Sequence, residues 1–163
     1  MDLYSKKKIT RKSLKTNFEQ KVYNQVGALC YKIVDDKTQV LLITSRKSKR
    51  WIIPKGWKID KLSNTKSVAL EAWEEAGVQG KVSNRSIGTY DYRKKNDSGD
   101  FFTCRVNVYG LRVKILKRKF PEQGERQLQW VDADRAIEYV FEPELKKLIT
   151  EFVKSIKFQQ ILE

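Results

Sequence analysis

An α/β fold, with a mixed β-sheet held between helices, is what this sequence predicts. Three observations carry that expectation. Apolar runs of strand length recur along the chain, and several alternate with period two. Between and after them lie segments with helical spacing and recognisable start and stop residues. The 163 residues, 40% of them hydrophobic, supply one core and no obvious second one. Residues 21–163 are therefore read as a single domain. Residues 1–20 are read as a basic N-terminal arm, flexible or loosely packed, without the apolar centre of a signal peptide. No apolar run reaches membrane-spanning length, so no membrane partner is expected.

The elements follow in order. Residues 25–34 and 39–44 are apolar runs around Asp35-Asp36-Lys37-Thr38, a hairpin signal. Residues 45–50 form a basic loop, and Trp51-Ile52-Ile53 a short strand. Pro54 and Gly56 mark a turn. The helix that follows can be capped by Ser63, Asn64 or Thr65. Val68, Ala72 and Ala76 recur every four residues as its buried face, small enough to lie close to a sheet. Gly77 stands where a left-handed residue ends a helix. Residues 80–82 begin a short strand, and residues 87–92 form a longer one. KKNDSG at 94–99 turns the chain into a long strand over 101–113, with Phe102, Cys104, Val106 and Val108 on one face. Residues 127–131 are the next strand. Asp132 caps a helix to about Val140, and Pro143 opens a final amphipathic helix to about Ile156.

Chemistry enters with Glu71, Glu74 and Glu75, at i, i+3 and i+4 of the first helix. That spacing puts the three carboxylates on one face, expected beside the buried face and not among its residues. Like charges this close repel one another, and a hard divalent cation removes the repulsion. Mg²⁺ takes oxygen ligands from a few carboxylates and fills its remaining positions with water or substrate phosphates. The bland alternative is a solvated acidic face, which a bare E-x-x-E-E favours.

The flanking residues tip that balance. Residues 56–78 read GWKIDKLSNTKSVALEAWEEAGV and resemble the Nudix box, G-x5-E-x7-R-E-U-x-E-E-x-G-U, with U aliphatic. Gly56, Glu71, Glu74, Glu75, Gly77 and Val78 fall on matching positions, and Ala72 takes an aliphatic one. Leu62 replaces the early Glu, and Leu70 replaces the Arg that normally orients the neighbouring carboxylates. Thr44-Ser45-Arg46, Arg50-Trp51-Ile52-Ile53-Pro54 and Trp73-Glu74-Glu75-Ala76-Gly77-Val78 with Gly80 are similar to the diphosphoinositol polyphosphate phosphohydrolase branch. The likeness runs over roughly residues 25–152.

The resemblance implies the Nudix α/β/α sandwich, with the box helix against one sheet face. It implies Mg²⁺, with Mn²⁺ as the alternative, held by Glu71, Glu74, Glu75 and the Lys55 carbonyl. Glu74 or Glu75 would activate water, and Glu122 and Glu125 are candidates for a further acid from a late loop. Arg46 and Arg50 match the branch's phosphate-binding residues best. The implied reaction is hydrolysis of a phosphoanhydride bond, with diphosphoinositol polyphosphates or diadenosine polyphosphates as first substrates.

Charge supports an anionic partner. Lys and Arg number 34 against 20 acidic residues, a net charge of +14, and such a field attracts polyanions. Lys55 and Lys58 flank the box glycine, and Arg93, Lys94 and Lys95 end a strand that can face the same cleft. RNA suits this surface too, so removal of pyrophosphate from an RNA 5′ end is the second reading. A phosphate- or RNA-binding module without turnover is the third. Trp51 and Trp57 flank the approach to the box and serve either the cleft or the core, whereas Trp130 is assigned to the core. The chain has no His, which removes Ser-His-Asp and Cys-His catalysis and histidine ligation. Cys30 and Cys104 lie in apolar runs and are read as buried free thiols without a disulfide partner. A reducing, cytoplasmic setting is expected.

Overall fold

The computed structural model describes residues 21–163; the arm expected over 1–20 lies outside the described residues. Among the described residues, seven strands form one mixed sheet, and three helices pack on it. The order is β1 (Val22–Val34), β2 (Lys37–Thr44), β3 (Trp51–Ile52), β4 (Lys55–Trp57), α1 (Asn64–Ala76), β5 (Val78–Lys95), β6 (Phe101–Leu116), β7 (Leu128–Asp132), α2 (Ala133–Tyr139) and α3 (Pro143–Leu162).

Strand β1 is central. On one edge it runs parallel to β6, which continues antiparallel to β5. Its other edge pairs antiparallel with β4 near the start and with β2 near the end. The expected hairpin forms at Asp35 and Asp36, both with positive φ, 51° and 60°. That is the two-residue turn whose twist matches paired strands, and Asp tolerates it.

Both sheet faces are covered, so β1 is buried on both sides from Gln25 to Cys30. Alternation divides its side chains. Val26, Ala28 and Cys30 pack with Val68, Ala72 and Ala76 of α1. Leu29 packs with Val106, Val108, Ala136, Leu145, Ile149 and Val153 beneath α2 and α3. Phe102, Cys104, Val106 and Val108 are all buried, as their alternation predicts, and both cysteines are free thiols. This is the α/β/α arrangement expected.

Four local expectations are corrected. The turn expected at Pro54 and Gly56 is strand β4, because Lys55–Trp57 finds an open length of β1 to pair with. The two strands expected over 80–92 are one strand, β5, kept continuous by shifts of register near Gln79, Val82 and Ser86. Asp132 stands at the start of α2 but caps nothing; its carboxylate accepts a hydrogen bond from Gln39 Nε2 at 3.2 Å. The final helix continues past Ile156 to Leu162, although Phe158, Ile161 and Leu162 are exposed.

Candidate active site

Helix α1 starts at Ser63, whose Oγ accepts a hydrogen bond from the Lys66 N–H at 3.3 Å. Of the three cap candidates it is the one used. The helix ends at Gly77, in the left-handed region at φ 69°, with its N–H donating to the carbonyls of Ala72 and Trp73. A side chain there would be strained, and its Cβ would lie 2.5 Å from the Lys117 carbonyl and the Phe120 ring. Gly77 therefore closes the helix and also seats the loop between β6 and β7.

The acidic face is not where spacing alone puts it. Glu71 and Glu75 are only 7% and 5% exposed, among the buried residues of α1, while Glu74 is half-buried. Strand β4 lies over them. A Cβ at Gly56 would collide with the Glu71 carboxylate, so glycine is what leaves room for that acid. The Lys55 N–H donates to Glu75 Oε2 at 3.4 Å. Burial is the main reason all three acids bind protons more tightly than usual. Glu71 is pushed from 4.5 up to about 8 by burial, then by the nearby Glu75, Glu74 and Glu122 charges. Burial takes Glu75 up to about 7, with Arg126 and Lys55 pulling the other way. Glu74 is raised by burial and by Glu122.

Arg126 is not among the residues that the sequence singles out. Its side chain, 7% exposed, lies 3.6 Å from Glu75 Oε1 and 3.3 Å from Glu122 Oε1 through Nη2. Its Nη1 donates to the Thr44 carbonyl at 3.1 Å. Of the two candidate loop acids, Glu122 therefore reaches the box helix, and its own N–H donates to the Glu74 carbonyl at 3.0 Å. Glu125 stays at the rim, 3.9 Å from Arg46, which also approaches Glu122 at 3.4 Å.

Across β4 the character of the surface inverts. The Lys55 backbone meets Glu75, but its ammonium lies over the Tyr92 ring at 4.6 Å, on the α2–α3 face of the sheet. Tyr92 is fixed by a 2.6 Å hydrogen bond to the buried Gln25. Lys94 lies over Trp57 at 5.6 Å, and Trp57 stands edge-on to Tyr23. Lys55 is held below its ordinary value by burial. Lys94 falls to about 8 through burial and the neighbouring cations Lys55, Lys47 and Arg46. The Arg46 side chain itself lies against Glu122 and Glu125, at the rim between the two sides.

The remaining expected binders are placed differently. Arg93 packs over Phe101 at 4.7 Å, on the face opposite Lys94, so Lys94 and not Arg93 enters this pocket. Arg50 covers Phe141 at 4.5 Å. Lys58 is exposed beside the start of the box. Trp51 packs on the core and against Tyr139, and Trp130 is half-buried under Lys32. A separate recess of about 250 Å³, lined by Ala69, Trp73, Val78, Gln79, Gly80 and Leu111, contains no charged side chain and lies apart from this chemistry.

A hard cation suits this donor set. Two buried carboxylates face each other with only partial compensation, and they offer oxygen alone. Among the described residues no three acids converge into a ready-made cage. Mg²⁺ does not need one, because water and substrate phosphates complete its shell.

The fold and site together define an α/β/α sandwich with a buried acid pair suited to a hard cation and, across one short strand, a cationic pocket suited to phosphates. No family model matches the chain. It is 28% identical over 125 residues to Nudix hydrolase 13, mitochondrial, of Arabidopsis thaliana, covering 74% of this chain and 62% of that protein. It is 33% identical over 119 residues to Nudix hydrolase 18, mitochondrial, of the same plant, covering 68% and 65%. The human diphosphoinositol polyphosphate phosphohydrolase 3-beta is 26% identical over 115 residues, covering 69% and 66%. The chain thus spans less than two thirds of the length of these relatives. In fold it matches the crystal structure of the C. elegans Ap4A hydrolase, with a TM-score of 0.58 at 18% identity, over 88% of this chain and all of that one. The chain belongs to the Nudix hydrolase superfamily.

Proposed function

We propose that this protein hydrolyses a phosphoanhydride bond in a highly anionic small molecule, with a diphosphoinositol polyphosphate as the preferred substrate and a diadenosine polyphosphate as the second. The observation that carries the reading is the buried Glu71–Glu75 pair beneath Gly56, an arrangement costly without a cation. Glu71, Glu74 and Glu75 would hold Mg²⁺ or Mn²⁺, together with the Lys55 carbonyl. When bound, the cation supplies charge neutralisation at the phosphates and acidification of water.

The chain's own residues do the rest. Glu75, fixed by the Lys55 N–H and by Arg126, is oriented to accept a proton from the attacking water, and Glu122 is the further acid at the same place. Arg46, Lys47, Lys55 and Lys94 bind and orient the substrate's phosphates, so catalysis is largely positioning and charge stabilisation. The rings of Tyr92 and Trp57 each carry a cation, which favours a multiply phosphorylated ring over a stacked base as the group seated there. The human phosphohydrolase relative supports the same choice.

The test is ³¹P NMR of the protein with Mg²⁺ and a diphosphoinositol polyphosphate, with Glu75→Gln as control. Loss of the diphosphate resonance and release of phosphate by wild type alone supports the proposal. Turnover of diadenosine polyphosphates or of 5′-triphosphorylated RNA instead would reassign the substrate. No turnover by folded protein would leave a binding module.

A further inference from the structure

We propose that Arg126 is a positioning residue, which clamps the loop acid Glu122 and the helix acid Glu75 into one fixed arrangement. The inference rests on the phosphoanhydride reading above for its kinetic consequence, but not for its structural one.

Three contacts define the clamp. One guanidinium nitrogen stands between Glu75 Oε1, at 3.6 Å, and Glu122 Oε1, at 3.3 Å. The other donates to the Thr44 carbonyl at 3.1 Å, which ties the assembly to the end of β2. The next residue repeats the tie, since the Gln127 N–H donates to Thr44 Oγ1 at 3.0 Å. Elsewhere the loop is moored to the end of α1 by backbone bonds, from the Lys117 N–H to the Gly77 carbonyl and from the Glu122 N–H to the Glu74 carbonyl, and by the Phe120 ring packed on Gly77. Arg126 is a side chain that touches both the loop's acid and the helix's acid.

The ordinary alternative is an ion pair kept for stability, and the geometry argues against it. Charge-assisted hydrogen bonds are short, about 2.7–2.9 Å, and both carboxylate contacts are longer. The buried Nε of Arg126 has no hydrogen-bond partner. Burying a guanidinium so incompletely satisfied gains little over an apolar side chain of the same volume, although removing it alone strands the two carboxylates. It does fix two carboxylates relative to each other.

The experiment compares wild type with Arg126→Gln and Arg126→Lys in the full chain. Hydrogen–deuterium exchange is read over residues 117–127, and kcat and KM are measured with Mg²⁺ and the diphosphoinositol polyphosphate. Arg126→Gln is expected to speed exchange of the loop at least tenfold and to lower kcat by about 10–100-fold, as loss of groups that orient metal-site carboxylates does. KM should stay within threefold, and Arg126→Lys should recover part of both effects. Adding Glu122→Gln to Arg126→Gln should cost little more, because both act through one arrangement. Unchanged loop exchange overturns the proposal, as does a loss confined to KM, which would make Arg126 a substrate contact. A wild type without turnover defeats the functional reading, while loop exchange still decides the clamp. If Arg126→Gln does not fold, Arg126→Lys carries the comparison.

Discussion

Glu71 makes the acid pair measurable without any substrate. Its carboxyl ionises near 4.5 in the unfolded chain and at about 8 in the folded one. Between those values the folded protein holds a proton that the unfolded chain has released. The stability this group contributes is therefore complete below pH 4.5 and is lost as pH rises to about 8. Each unit of pH in that window costs about 1.4 kcal/mol, so the loss is about 3 kcal/mol at pH 7 and approaches 5 kcal/mol above pH 8. Gln imitates the protonated acid, so Glu71→Gln keeps what wild type loses. The assay is urea unfolding at pH 5 and pH 8 in the presence of a chelator. At pH 8 the variant should be the more stable by several kcal/mol, and at pH 5 the two should nearly coincide. Mg²⁺ should restore wild type at pH 8 and leave the variant unmoved. A variant no more stable than wild type at pH 8, or a gap independent of pH, would refute the burial argument.

Three further outcomes follow from the same geometry. Gly56→Ala drives a methyl into the Glu71 carboxylate and should cost about 1–3 kcal/mol by urea unfolding, with turnover reduced at least tenfold; wild-type kcat would show that Glu71 can move aside freely. Lys94 loses its charge near pH 8, so KM for a polyphosphate should climb above that pH more steeply in wild type than in Lys94→Met, where it starts higher, read from initial rates between pH 7 and 9; equal slopes would remove Lys94 from phosphate binding. Ser63→Ala removes the cap of α1 and should lower stability by about 1 kcal/mol with KM unchanged, and a neutral effect would mean the helix start is held by tertiary contacts alone.

Features written in neighbouring residues were legible, and features that depend on depth or strand parity were not. The i, i+3, i+4 spacing of the three glutamates, the cap at Ser63 and the stop at Gly77 are all local, and each appears where the sequence puts it. Spacing gives a helix face but says nothing of what covers it. The burial of Glu71 and Glu75 comes from β4, which pairs with β1 and brings Gly56 over the acids. Arg93, Lys94 and Lys95 are all expected at the cleft; Lys94 lies over Trp57 there, whereas Arg93 and Lys95 pack over Phe101. Parity along β5 is altered by three register shifts; two fall at glycines, Gly80 and Gly88, the usual mark of a bulge, and the one after Val82 has no such mark. Arg126 sits four residues after Glu122, the spacing of an acid–base pair. That signal could have found it.

Strand β4 explains why one chain can keep an acidic cluster inside a +14 molecule. Three residues long, it is the partition between the two electrostatic halves of the site. On its α1 side a backbone N–H and a glycine face Glu75 and Glu71, groups that add no bulk and no full charge. On its other side Lys55 and Trp57 project toward Tyr92 and Lys94. A residue with a side chain at position 56 would fill the space of the Glu71 carboxylate. The alternation of the strand then sends Lys55 and Trp57 to the face of the proposed phosphate site. In the proposed reaction the acids that would hold the cation and the lysines that would hold the phosphates are thus kept apart by one strand, so neither set neutralises the other before substrate arrives.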